Sequence, residues 1–535
     1  MMSTLHHPPT GGLRQAAPIA AFFILISLSS FASAVPIRIE GGLIEGREEG
    51  PVTVFKAIPF ALPPVGELRW RGPQPPLPWA GIRKADAFAP ICPQDGASVP
   101  GAPKEPTSED CLYLNVWAPS HGHGAKLPVM VWIYGGGFST GSASMPLYWG
   151  DQLALRGVLL VTVSYRVGAF GFMAHPELSS ESPDHVSGNY GLLDQVAALK
   201  WVQRNIGAFG GDPHCVTIFG QSAGSSSVCL LVASPSAKGL FQRAIAESGG
   251  VFAPLAAVPG AEVILLKGAE KKGLEIQKKL GAASLADMRR LPASEILKAG
   301  QNMPWMFLID RHVLSRQPYD VLSAGDQVDV PLLLGTNGDE GRPFLEGTTV
   351  TASSFRPDLS RTILAYIPAS VLAHYPSGSD EEAYASRAAL ERDVRFGWDA
   401  WTWAKFQSTT GSAAVYYYHF AHLPPAASGS PWARWGAGHW AELPYVFGHP
   451  GQAPGPWSPE DHALSDTMMG YWTNFAKHGD PNGPGLPVWP RFTSAQPQVL
   501  HFDSAIHVGG VANLEKLEAL DQYFTEARKQ PVDGL

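Results

Sequence analysis

The stretch Cys215-Val216-Thr217-Ile218-Phe219-Gly220-Gln221-Ser222-Ala223-Gly224 passes from an apolar, β-branched run into glycine and small residues that can open a helix. It predicts a strand, a sharp turn and a helix. Such a turn lifts a serine hydroxyl clear of the sheet, and it needs glycine on both sides because a Cβ at either position would collide with neighbouring backbone. Ser222 is therefore a candidate nucleophile. The pattern G-x-S-x-G alone is weak, since a chain with 57 glycines matches it by chance on the order of once. A second match is present, Gly137-Phe138-Ser139-Thr140-Gly141. It trails a glycine cluster, and Ser142, Ser144 and Pro146 stand where a helix would have to begin, so Ser139 reads as a loop serine beside the site.

A lone serine hydroxyl is a poor nucleophile and needs a base, an acid to orient that base, and donors for the oxyanion. The run Leu127 to Tyr134 (LPVMVWIY) reads as a buried strand ending in Gly135-Gly136-Gly137-Phe138. Three glycines let the backbone turn its N–H groups toward a ligand with no side chains in the way, as an oxyanion hole requires. On an α/β-hydrolase fold the acid and then the histidine follow the serine along the chain. Val330 to Gly335 (VPLLLG) is a further short apolar strand, and it runs into Thr336-Asn337-Gly338-Asp339-Glu340-Gly341. Two adjacent carboxylates at a strand end are either a solvated turn or a catalytic acid. Of 17 histidines, His439 stands out because it lies in a glycine-rich loop, Gly436-Ala437-Gly438-His439-Trp440-Ala441-Glu442, and comes after Glu340.

Taken together, these segments resemble the type-B carboxylesterases, a family that also holds the cholinesterases and neuroligins. The resemblance covers nearly all of the chain after the leader. Its landmarks are SEDCLYLNVWAP from Ser108, WIYGGGF from Trp132, NYGLLDQ from Asn189, GDPHCVTIFGQSAG from Gly211, GTNGDEG from Gly335 and YWTNFAKHGDPN from Tyr471. It implies an α/β-hydrolase fold with Ser222 as nucleophile, His439 as base, and Glu340 rather than Asp339 as the orienting acid. The backbone N–H groups of Gly136, Gly137 and Ala223 would form the oxyanion hole. Cys92 and Cys111 match the family's first disulfide loop. Arg69 with Glu109, and Arg166 with Asp194, look like its internal ion pairs, and Glu442 is expected to brace the histidine loop.

Composition agrees with a large globular enzyme. With 535 residues, 45% hydrophobic and 16% charged, the chain has material for a core and little of the charge that disorder needs. A net charge of −8 gives no reason to propose nucleic acid as a partner. The reading calls for no cofactor and no metal, and no Cys/His cluster has metal-ligand spacing. Apolar runs at Gly157 to Tyr165, Arg243 to Ser248, Ala414 to Phe420 and Pro497 to Phe502 join the strands above. Such runs, separated by helices that include Leu192 to Asn205 and Pro459 to Lys477, imply a large, mostly parallel sheet covered by helices on both faces. The Pro-rich runs at 73–78, 424–431 and 450–459 read as surface loops with long insertions, so residues 35–535 are expected to form one domain.

Residues 1–34 read as a cleaved leader: Arg14 precedes the apolar stretch Ala16 to Leu28, and Ala32-Ser33-Ala34 supplies the small-x-small cleavage pattern. The apolar run falls short of the roughly 20 residues a spanning helix needs, so export to the periplasm or medium without a stable membrane anchor is expected. No N-x-S/T acceptor is present, which favours a bacterial source. Cys215 begins the strand before the turn and Cys229 lies about two turns into the helix after it, so these two are expected to be free buried thiols.

The expected activity is hydrolysis of a small carboxylic ester through an acyl-enzyme. A non-catalytic recognition protein of the neuroligin kind, or an amidase or lipase variant, is the alternative, but every expected triad position is filled. Two departures from cholinesterases bear on the substrate. The Cys92–Cys111 segment contains no Trp, Tyr or Phe, and Gln221 stands where cholinesterases carry a glutamate. Neither a cation-π platform, typically worth about 0.5–2 kcal/mol, nor that carboxylate is available to a choline ester, which points to neutral or anionic esters instead. We predict that butyl acetate is hydrolysed with a several-fold higher kcat/KM than acetylcholine, and a preference for acetylcholine would contradict the reading.

Overall fold

Runs such as Val129 to Ile133 and Leu159 to Val163 are apolar at every position but one and buried at every position, so they are stable only where both faces of a sheet are covered. The computed structural model describes residues 34–96, 104–120, 122, 124–258, 260–452 and 454–531. The expected leader, apart from Ala34, lies outside the described residues. Ala34 itself is buried, with its N–H donating to Gly46 O at 3.1 Å.

In chain order the strands are β1 (Ile37–Ile39), β2 (Gly42–Glu45), β3 (Arg47–Glu49), β4 (Val52–Pro59), β5 (Ile82–Lys84), β6 (Tyr113–Pro119), β7 (Leu127–Ile133), β8 (Leu159–Val163), β9 (Gly211–Gln221), β10 (Arg243–Glu247), β11 (Leu332–Asn337), β12 (Val415–Phe420), β13 (Val499–Phe502) and β14 (Ile506–Gly509). A small sheet has the order β1-β2-β5, and an eleven-stranded sheet the order β14-β13-β12-β11-β10-β9-β7-β8-β6-β4-β3. From β8 through β13 all neighbours pair in parallel, while both margins are antiparallel. Helices cover both faces of this mixed sheet. Among them, Tyr190–Asn205 and Pro459–His478 fall close to the expected spans.

The register of the parallel centre decides where chemistry can occur. Ile133 pairs with Gly220, Gln221 with Glu247, and Glu247 with Gly335. The C-terminal ends of β7, β9, β10 and β11 therefore lie side by side, and the loops that leave them converge on one edge of the sheet, the usual place for a site in an open α/β sheet. Below that edge Trp132, Phe219 and Phe447 pack with ring centroids 4.8 to 5.8 Å apart.

The antiparallel margin was not evident from continuous apolar runs. β6 reads YLNVWAP, with an asparagine in its middle, and β4 carries Lys56. The polar residue is structural. Where β4 bulges between Phe55 and Ile58, Ala57 N–H donates to Asn115 Oδ1 at 3.0 Å, and Asn115 Nδ2 donates to Thr162 Oγ1 at 3.0 Å. The side chain thus replaces ladder bonds that the bulge removes.

Both expected ion pairs form. Arg69 meets Glu109 through Nε and Nη2 at 2.7 and 2.6 Å, and Arg166 meets Asp194 in the same two-pronged way at 2.8 and 2.7 Å. The second pair is almost wholly buried, and Arg166 Nη1 also donates to Arg71 O at 2.8 Å. Breaking such a pair leaves one charge buried without its partner. We predict that Asp194→Asn lowers stability by about 3–5 kcal/mol. Glu40→Gln, which breaks the exposed Arg204 pair, should cost no more than about 1 kcal/mol. Urea unfolding of the two variants checks this, and equal losses would overturn it.

Candidate active site

Between the end of β9 at Gln221 and the helix Ala223–Ala233 stands a single residue, Ser222, at φ 58°, ψ −123°. A side chain is uncommon there, and the strain costs on the order of 1–3 kcal/mol. Its N–H is held by Glu247 O at 2.9 Å, and its carbonyl takes the N–H of Ser226 at 2.9 Å. The flanking glycines act as the sequence implies: a Cβ on Gly224 would lie 2.0 Å from Ile133 O, and one on Gly220 would lie 2.6 Å from both Ile133 O and the Gly224 carbonyl carbon.

The loop after β7 comes down onto this turn. A Cβ on Gly135 would sit 2.9 Å from Ser222 Cβ, and Gly136 and Gly137 have φ of 114° and 61°. Gly136 O accepts from Ser139 and Thr140 N–H, which pins the loop. Among the described residues, the N–H groups of Gly136, Gly137 and Ala223 make no hydrogen bond within the protein. Ala223 N–H is free because it opens a helix. Ser139 lies on this same loop with its hydroxyl on Gly137 O at 3.2 Å and no helix after it. It is a loop serine, as its context predicts.

The disulfide joins this arrangement from outside. Cys92 and Cys111 are bonded, with Cα atoms 5.1 Å apart. Two residues beyond Cys92, the Gln94 amide donates to Gly141 O at 2.8 Å and accepts from Gly141 N–H at 2.7 Å, fastening the disulfide loop to the far end of the glycine loop. Cys215 and Cys229 are free, but only Cys229 is fully buried; Cys215 is half-buried and its sulfur takes a contact from Arg243 Nη1 at 3.1 Å. Burial pushes the Cys229 thiol well above its ordinary range.

The adjacent carboxylates after β11 have different surroundings. Glu340 is wholly buried, with Oε1 accepting from Asn337 N–H at 2.8 Å and Oε2 facing His439 Nδ1 at 2.5 Å. Asp339 instead pairs with Arg342 at 2.9 Å and accepts from Ala437 N–H at 3.1 Å. Asp339 N–H donates to Ala437 O, and Asn337 Nδ2 to Gly438 O, both at 2.9 Å. The acid loop and the histidine loop are therefore laced together on either side of the Glu340–His439 contact. Gln221, the residue before Ser222 and also buried, places Nε2 at 3.3 Å from both ring nitrogens of His439. Among the described residues the Ser222 hydroxyl makes no hydrogen bond.

Two further acids lie beneath. Glu442 accepts from Asn337 Nδ2 at 2.5 Å, bracing the histidine loop as expected, while its Oε1 has no donor. Burial, with Glu247 and Glu340 nearby, holds its carboxyl well above the usual range. Burial likewise pushes Glu247 up to about 8, even though Trp472 Nε1 donates to it at 2.6 Å. Burial thus disfavours the charged form of Glu442, which makes it a poor counter-charge for an imidazolium.

Reading motifs did not find the wall around His439. Phe396 stacks on the imidazole at 4.5 Å and 20°, Trp440 approaches edge-on at 4.6 Å, and Phe344 lies at 5.5 Å. Phe396 belongs to one π turn, Asp393–Gly397, inserted between the helices Asp380–Arg392 and Trp398–Thr410. Such turns are rare and often mark functional sites, but a π turn has no recognisable sequence signal of its own.

With this geometry in hand, comparison with known proteins is informative. Residues 33–519 match the carboxylesterase family. The chain is 37% identical to the fumonisin B1 esterase of Sphingopyxis macrogoltabida, over 94% of this chain and 97% of that one. It is also 37% identical to the para-nitrobenzyl esterase of Bacillus subtilis (strain 168), over 90% and 98% of the two chains. A solved thermophilic PNB esterase superposes with a TM-score of 0.79 at 34% identity, covering 91% of this chain and 99% of that one. The chain belongs to the carboxylesterase family and is a carboxylic ester hydrolase.

Proposed function

We propose that Ser222, His439 and Glu340 carry out ester hydrolysis through an acyl-enzyme. The observation that supports this most is the buried 2.5 Å contact between Glu340 and His439 Nδ1, set beside a strained serine. With Nδ1–H directed at Glu340, Nε2 is left as the basic nitrogen. His439 Nε2 takes the Ser222 Oγ proton as Oγ attacks the ester carbonyl carbon, and the carbonyl oxygen becomes an oxyanion facing the free N–H groups of Gly136, Gly137 and Ala223. Each such preorganised donor is worth on the order of 3 kcal/mol in related sites. The imidazolium then returns the proton to the leaving alcohol oxygen as the C–O bond breaks. Water, deprotonated by the same nitrogen, releases the acid and restores Ser222.

The substrates are neutral or anionic esters rather than choline esters. Gln221, packed on the imidazole, provides no carboxylate for a cation. Residues 35–535 act as one exported hydrolase domain in this reading. The Cys92–Cys111 disulfide suits an oxidising compartment, and among the described residues no helix is long and apolar enough to cross a membrane.

Two pairs of variants test the assignment. Ser222→Ala should lower kcat by roughly 10⁴-fold or more and abolish covalent labelling by an organophosphate, while Ser139→Ala keeps most activity and the label. Glu340→Gln should fold yet lose most turnover, because the histidine loses the acceptor that fixes its tautomer, whereas Asp339→Asn is much milder. Mass spectrometry locates the label and burst kinetics with p-nitrophenyl acetate give the rates. Label on Ser139, or the reverse ranking of the two acids, would overturn the assignment.

A further inference from the structure

The residue before Phe396 in the π turn has no part in the reaction as described. The Arg395 guanidinium carbon lies 4.7 Å over the centroid of the Phe344 ring, the ring that borders His439 and is itself 39% exposed. Its Nε donates to Glu391 Oε2 at 2.6 Å. Among the described residues this is the one hydrogen bond the guanidinium makes, so Nη1 and Nη2 are open on a side chain that is 29% exposed.

The local charge is unbalanced in one sense. Glu391, buried, gives its other oxygen to Arg387 Nε and Nη2 at 3.2 and 2.8 Å. One carboxylate thus serves two guanidiniums, while the nearby Arg342, Arg392 and Arg434 each have an acid of their own, in Asp339, Asp393 and Glu346. Glu391 also fixes the orientation of Arg395, which holds the planar fork in place over an aromatic face before any ligand arrives, so less freedom is lost on binding.

We propose that Arg395 is a specificity determinant that receives a free carboxylate carried by the ester substrate, with the intervening chain lying on Phe344. The class this selects is a monoester of a dicarboxylic acid or an acyl ester of a hydroxy acid. The proposal rests on the Ser222 esterase reading and narrows it. A planar carboxylate matches the two open N–H₂ groups in a bidentate contact, and the same positive charge opposes a choline group.

The test uses two matched pairs that differ in the charged group and little in shape. Monoethyl succinate against ethyl levulinate places the charge on the acyl side, and acetoxyacetate against acetoxyacetone places it on the alcohol side. In at least one pair, Arg395→Gln should lower the charged-to-neutral ratio of kcat/KM by about 10-fold, as expected for one charge-assisted hydrogen bond at a partly open site. The loss should fall mainly on KM, Arg395→Lys should restore part of it, and added salt should lower the wild-type ratio. Unchanged ratios in both pairs, or an equal fall for charged and neutral esters alike, would overturn the proposal while leaving the esterase reading in place. Failure of the wild-type protein to hydrolyse any of the four esters, with no burst from p-nitrophenyl acetate, would overturn both.

Discussion

A serine at φ 58°, ψ −123° is the constraint on which the rest of the site depends. That conformation is unfavourable in isolation, so it persists only because the surroundings leave no alternative. Three elements supply them. β10 holds the Ser222 N–H through Glu247 O, the end of β7 closes on Gly220 and Gly224 so tightly that no side chain fits, and the following helix takes the Ser222 carbonyl into its first turn. The same crowding seats the glycine loop on Ser222, where a Cβ on Gly135 would lie 2.9 Å from Ser222 Cβ. The strain at Ser222 and the seating of that loop are therefore two results of one close approach between β7 and β9.

How much of this was legible in the sequence follows from the range of the interactions involved. The turn at Gly220, Ser222 and Gly224 could be read because its glycine pattern lies in one short segment, and the central parallel strands because burial on both faces leaves apolar runs. Choosing Glu340 over its neighbour Asp339 needed the family resemblance. In the folded chain Glu340 is buried against Asn337 N–H and His439, the latter 99 residues away, while Asp339 pairs with Arg342 and Ala437 N–H. β6 escaped notice because its asparagine is satisfied by a bulge on β4 and a threonine on β8, neither visible from β6 alone. Cys215 was expected to be buried and is half-buried, since it closes the partly exposed stretch Asp212–Cys215 of β9, just before the buried run Val216–Gln221.

The acids around His439 are sorted by what donates to them. Glu340 has both oxygens occupied, one by a backbone N–H and one by the imidazole. Among the described residues Glu442 and Glu247 each retain one oxygen without a donor, and burial raises both carboxyls, Glu247 to about 8. Of these three acids, Glu340 is the one that meets the imidazole directly. Asn337 is the hinge of this sorting. Its N–H serves Glu340 and its side-chain amide serves Glu442 and Gly438 O, so one residue at the end of β11 ties both acids to the histidine loop.

The π turn connects the imidazole of His439 to the outer surface. An uninterrupted α-helix from Asp380 to Thr410 would advance by the ordinary rotation per residue, and the extra residue of the π turn shifts every side chain after it relative to those before it. Phe396 then faces inward onto the imidazole, while Arg395 faces outward over Phe344 and keeps its i, i+4 partner Glu391 on the preceding turn. The aromatic wall of the histidine and the exposed positive charge at its margin are thus consecutive residues of one helical irregularity. A change that removed the irregularity would displace both at once, so the packing of His439 and the placement of Arg395 depend on the same backbone feature.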